Sequence, residues 1–189
     1  MGLIRFLDVF LFQLYYRFFL ATADQEWQED MPRKLEARYS DLPDAVRLLE
    51  APSPNSSETE RFLGDIQPDI ILARRKSILH KRIYSQARVG TFVMYPGICP
   101  EYRNAHGCFW ALANRDTANV GMTLLKIDAD VDTGRVYDYY TYDYDEVAES
   151  HIVIQNRVVF DNLDSLTTKI REILAGTAAT IGTDRVHQP

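Results

Sequence analysis

Residues 90–142 constrain this chain most, because they alternate strand-like runs with turn-rich loops in a fixed order. The first run, Gly90-Thr91-Phe92-Val93-Met94-Tyr95, stops at Pro96-Gly97. Its side chains alternate, so Thr91, Val93 and Tyr95 share one face while Phe92 and Met94 share the other. The loop Pro96-Gly97-Ile98-Cys99-Pro100 cannot continue a strand, and a helix is expected after it over 105–114. Strands are expected over 120–128 and 136–142, separated by the turn-forming Asp130-Val131-Asp132-Thr133-Gly134.

Upstream, Ile70-Ile71-Leu72-Ala73 is a short apolar run of the kind found in a buried parallel strand. Residues 46–49 read as another short strand, and residues 51–56 as a loop. Ser57 with Glu60 three residues on resembles a capping box, which starts a helix ending near Ile66. Apolar residues recur at helical spacing over 150–174, with Gly176 as a stop. Strands alternating with helices specify an α/β domain, a mostly parallel sheet with helices on both faces. The expected division is a helical segment over 1–45, the α/β domain over 46–176 and a flexible tail over 177–189.

The N-terminus holds an apolar stretch over 3–20 interrupted by Arg5, Asp8 and Arg17. A spanning helix needs about 20 apolar residues without such breaks. A buried helix is the first reading; a membrane-surface helix or a homo-oligomer contact is the alternative. A polar helix is expected next, over 24–38. The net charge of −6 argues against a nucleic-acid partner, which would need a basic face. Cys99 and Cys108 are too few for a disulfide framework, so a reducing cytoplasm is expected. Cys99 reads as a small buried residue, with a reactive thiol as the other reading. No metal site is visible, since His80 and His151 lack ligand-spaced partners.

The run from Gly90 to Gly134, with Pro68-Asp69-Ile70-Ile71-Leu72-Ala73 before it, resembles the folate-dependent formyltransferase family, which implies its Rossmann-like fold. That family carries a strand ending Asn-x-His, a loop ending in Pro and a loop with Asp-x-Gly. Here Asp132 matches the Asp, whereas Val93 stands in the Asn position and Tyr95 in the His position. Gly121-Met122-Thr123 is similar to the family's Gly-Val-Thr strand. The family's glycine-rich front is missing, as Gly2 is the only glycine before Gly64.

The resemblance implies transfer of a formyl group from 10-formyltetrahydrofolate to a small-molecule amine, in one-carbon metabolism. It implies Asp132, His106 and Tyr95 as catalytic residues. The folate would lie against Leu72, Ala73, Arg74, Ile78, Leu79, Val131 and Gly134, and the acceptor against Pro96, Gly97, Arg103 and Asn104. Formyl transfer develops an oxyanion, and Val93 offers it no donor. His106 titrates near neutral pH and could carry a proton, or simply cap its helix. Arg74, Arg75 and Lys76 are a solvated face or an anion contact. A binding or regulatory protein on the same scaffold is therefore the alternative to an enzyme.

Overall fold

The computed structural model describes residues 3–39, 43–74, 78–103, 106–128 and 134–181. The chain divides into two compact units, Met1–Arg47 with Tyr144–Ile154, and Leu48–Asp143 with Gln155–Pro189.

The first unit carries α1 (Leu3–Tyr15), a π-helical turn (Tyr16–Leu20) and α2 (Ala21–Tyr39) as one continuous helical run. Two separate helices were expected. Nothing in Ala21-Thr22-Ala23 breaks a helix, so the chain absorbs the junction as a π turn, closed by the Ala21 amide donating to the Tyr16 carbonyl. The Tyr16 hydroxyl donates to the buried Asp24 carboxylate at 2.8 Å. The same unit holds the start of α6 (His151–Phe160), where the Ser150 hydroxyl accepts from the Ile152 and Val153 amides.

The second unit begins without the strand expected over 46–49. Those residues form no strand, the Val46 amide donates to the Pro43 carbonyl at 2.8 Å, and Val46, Leu48 and Leu49 are exposed. Then come α3 (Ser57–Ile66), β1 (Ile70–Ala73), α4 (Lys81–Tyr84), β2 (Gly90–Tyr95), α5 (Gly107–Ala113), a 3-10 turn (Thr117–Asn119), β3 (Met122–Lys126), β4 (Val136–Tyr140), the rest of α6, and α7 (Leu163–Ala175). The cap of α3 is Ser56 rather than Ser57, its side chain accepting from the Thr59 amide. The helix expected over 150–174 breaks at residues 161–162. There the Asn162 side-chain amide donates to the Val158 carbonyl, which a continuous helix would pair with its own backbone, and to the Thr141 carbonyl after β4.

The sheet order is β1-β2-β3-β4. Only β1 and β2 are parallel; β2–β3 and β3–β4 are antiparallel, where a mostly parallel sheet was expected. A direct hairpin between β3 and β4 allows this, because antiparallel neighbours need no crossover. β1 is an edge strand and not a buried one: it pairs on one side only, and Leu72 is 42% exposed.

Each face of the sheet has its own core. Phe92, Met122, Leu124 and Tyr140 pack on Val158 and Val159 of α6 and on Leu166 and Ile173 of α7. The other face gathers Cys99, Leu125 and Val136, with Val93, Tyr95, Tyr139 and Ile181 against them. The start of the expected tail is anchored: the Ile181 amide donates to the Val136 carbonyl at 2.8 Å, bridging it to the outer edge of β4.

Candidate functional site

The candidate site is built at the end of β2. Register fixes its floor, since Ala73 pairs with Val93, Val93 with Leu125, and Tyr95 with Thr123. Partnered residues point to the same side, so Ala73, Val93, Tyr95, Thr123 and Leu125 share one face. The expected pairing of Val93 with Tyr95 on one face is therefore realised. Both are half-buried and pack against the Cys99, Leu125 and Val136 cluster.

The loop after β2 is held from below. The buried Thr123 hydroxyl accepts from the Cys99 amide at 3.0 Å and donates to the Gly97 carbonyl at 2.6 Å. The Tyr139 hydroxyl donates to the Cys99 carbonyl at 2.8 Å. Two glycines let the loop fold back onto α5. A Cβ on Gly107 would lie 2.4 Å from the Pro96 carbonyl oxygen and 2.7 Å from the Gly97 Cα. The Cys108 amide donates to the Pro96 carbonyl at 3.1 Å. This closes Pro96 and Gly97 against the start of α5, where His106 stands exposed at the capping position with no side-chain cap. Tyr102 is buried and donates to Asp116 at 2.9 Å, whereas its neighbour Arg103 is exposed.

Both cysteines are free and buried. Burial pushes the Cys108 thiol up to about 11, and the Gly121 carbonyl accepts its proton at 3.0 Å. Cys99 belongs to the small core, which matches the reading of it as packing.

The third wall comes from the β3–β4 connection. The Lys126 amide donates to the Arg135 carbonyl at 2.9 Å, and the Ile127 amide to the Thr91 carbonyl at 2.7 Å. Gly134 is buried so tightly that a Cβ would overlap the Lys126 carbonyl oxygen. The connection therefore starts beside Thr91 of β2 and ends against the Lys126 backbone of β3. Asp132 and Val131, and Asn104 in the preceding loop, lie outside the described residues, as do Arg75 and Lys76.

The residues expected to meet a folate divide between two faces. Ala73 lies on the Tyr95 side. Leu72 pairs with Phe92 and Arg74 follows on the same side, toward α6. The Arg74 guanidinium donates to Asn156 Oδ1 at 2.7 Å and sits 5.8 Å from the Phe160 ring centre, with burial lowering its pKa. Ile78 is 71% exposed and Leu79 is half-buried. Their loop is clamped by Asn55, which donates to the Ile78 carbonyl at 2.9 Å and accepts from the His80 amide at 2.8 Å.

Sequence reasoning did not find three supports: the Asn55 clamp, the Thr123 hydroxyl bridge and the Tyr139 tether. Thr123 had a usable signal, because a hydroxyl among Met122, Leu124 and Leu125 must find partners once buried. Asn55 and Tyr139 act across 23 and 40 residues of chain, where no local pattern reaches.

No protein-family model matches the chain. In sequence, the methionyl-tRNA formyltransferase of Chlorobium chlorochromatii is 28% identical over 165 residues, covering 82% of this chain and 52% of that protein. The methionyl-tRNA formyltransferase of Thermotoga maritima is 29% identical over 92 residues, covering 48% of this chain and 29% of that protein. The chain thus spans about half, or less, of these relatives' length. Among solved structures, the phosphoribosylglycinamide formyltransferase of Streptococcus pneumoniae superposes with a TM-score of 0.53 at 20% identity, over 75% of this chain and 79% of that one. The Anaplasma phagocytophilum enzyme of the same name gives 0.55 at 13% identity, over 67% and 63%. At such identities the likeness is one of fold.

Proposed function

We propose, from the premise that this chain belongs to the formyltransferase family, that it takes the formyl group of 10-formyltetrahydrofolate and passes it to a small-molecule amine. The observation that carries this reading is the loop over 96–103. It is fixed by Thr123, Tyr139 and the Gly97–Gly107 approach, beside a floor that ends in Tyr95. A loop held by buried hydrogen bonds is a preorganised wall for a ligand. The exposed apolar side chain of Ile78 suits the cover of a flat ring system.

In this reading His106 accepts the proton of the attacking amine and returns it to the leaving folate nitrogen as the carbon–nitrogen bond breaks. Asp132 orients and charges His106, and the Tyr95 hydroxyl donates to the oxyanion. Pro96, Gly97, Arg103 and Asn104 border the acceptor, and Ala73, Leu79, Val131 and Gly134 border the folate. Val93 brings no oxyanion donor, and losing one such donor slows acyl transfer by about 10²–10³. Slow transfer is the expectation. Two buried free cysteines suit a cytoplasmic setting.

A second reading rests on a specific observation: Val93 and Tyr95 pack against the apolar cluster of Cys99, Leu125 and Val136. On that basis the chain is a folate-binding regulatory protein without transfer chemistry. Two variants separate the readings in a formyl-transfer assay. Asp132→Asn abolishes turnover and leaves folate binding in place if the chain is an enzyme. Val93→Asn with Tyr95→His raises turnover by about 10² or more if only the donor pair limits it. Turnover that is undetectable in every variant, with folate bound, leaves the regulatory reading.

A further inference from the structure

We propose that α1 and the π turn after it dock on an anionic lipid surface, lying in its plane. This inference is independent of the formyl-transfer reading. The seven large apolar residues Leu7, Phe10, Leu11, Phe12, Tyr15, Phe18 and Phe19 are all exposed, from 43% at Phe12 to 73% at Phe18. The Tyr15 and Phe19 rings stack at 5.3 Å, joining the helix and the turn into one patch. A contiguous apolar surface of this kind marks an interaction site.

Its width selects the occupant. Consecutive helical residues are about 100° apart, so the exposed run Phe10, Leu11 and Phe12 spans about 200° of the helix. A partner helix in a coiled-coil seam covers only the narrower stripe of two positions in seven. A helix half-sunk at a bilayer interface has an apolar sector of the width seen here. Crossing the bilayer is ruled out by length and charge, since no described helix is long and apolar enough to do so. The Tyr16 hydroxyl is turned back to the buried Asp24 of its own helix, which leaves the exposed patch apolar.

Charge points to anionic headgroups. Residues 3–20 carry Arg5 and Arg17 against Asp8, a net of +1 in a chain of net −6. Arg17 is exposed directly beside Phe18 and Phe19. Its aliphatic stem can follow the rings down while the guanidinium stays at headgroup phosphates. Glu26, Glu29 and Asp30 then bound the contact, because an anionic surface repels the first half of α2.

The test is sedimentation of the full chain with vesicles of phosphatidylglycerol and phosphatidylcholine, and with phosphatidylcholine alone. The expected result is binding to the anionic vesicles that falls several-fold on neutral vesicles or in high salt. Leu11→Glu with Phe18→Glu should reduce binding by about tenfold or more, with an unchanged denaturation midpoint because both side chains are already exposed. Arg17→Glu should remove most of the salt-sensitive part. Absence of vesicle binding overturns the proposal. So does a concentration-dependent dimer that the same double variant abolishes, which would give the surface to a second copy of the chain.

Discussion

The Thr123 hydroxyl is the residue on which the candidate site rests most. Thr123→Val keeps the shape and removes the hydrogen bonds to the Cys99 amide and the Gly97 carbonyl. Each lost bond in a buried setting costs about 1–3 kcal/mol, so roughly 2–6 kcal/mol should be lost in chemical denaturation, and Thr123→Ser should restore most of it. Cys108 gives a pH signature. Its thiol is raised from an ordinary 9.0 to about 11 by burial. Below pH 9 it is protonated in folded and unfolded chains alike, and its contribution is complete. Between pH 9 and 11 the unfolded chain ionises while the folded thiol stays neutral, so stability falls by about 2–3 kcal/mol over that window. Cys108→Ala should make the alkaline slope shallower. A remainder comes from Tyr140, whose hydroxyl is also pushed upward, first by burial and then by the nearby Asp138 and Glu172 carboxylates. At this scale the sequence was readable where alternation decides, as for Val93 and Tyr95. It was unreadable where a side chain such as Asn55 reaches a backbone group far along the chain.

Elements were legible in type and less so in partnership. β2, β3, β4 and α5 fall within the expected spans, because alternation and turn residues fix them locally. Strand direction and edge position depend on which neighbour is present, so β1 was read as buried and the sheet as mostly parallel. The break between α6 and α7 follows from Asn162, whose preference for bonding backbone outweighs the apolar periodicity around it. Gly176 is the stop that periodicity predicted. It caps α7 at φ 71° with open space around a would-be Cβ. Gly176→Ala therefore isolates backbone strain and should lower stability by about 1–2 kcal/mol in a denaturant titration.

For the whole molecule, the likeness to formyltransferases was legible in the order and spacing of the loops, and the activity was not. Val93 brings no donor to the oxyanion, and the chain spans only about half the length of its sequence relatives. What the structure defines there is a loop fixed by the Thr123 hydroxyl beside a sheet floor, and the proposed cleft is built on these two parts. The central claim is that this cleft takes a reduced folate. The most direct measurement is calorimetric titration of the purified chain with a stable analogue of 10-formyltetrahydrofolate. Saturable binding in the micromolar range, a free energy of about −8 kcal/mol or somewhat weaker, is the predicted result. A flat titration from a chain shown to be folded would contradict it.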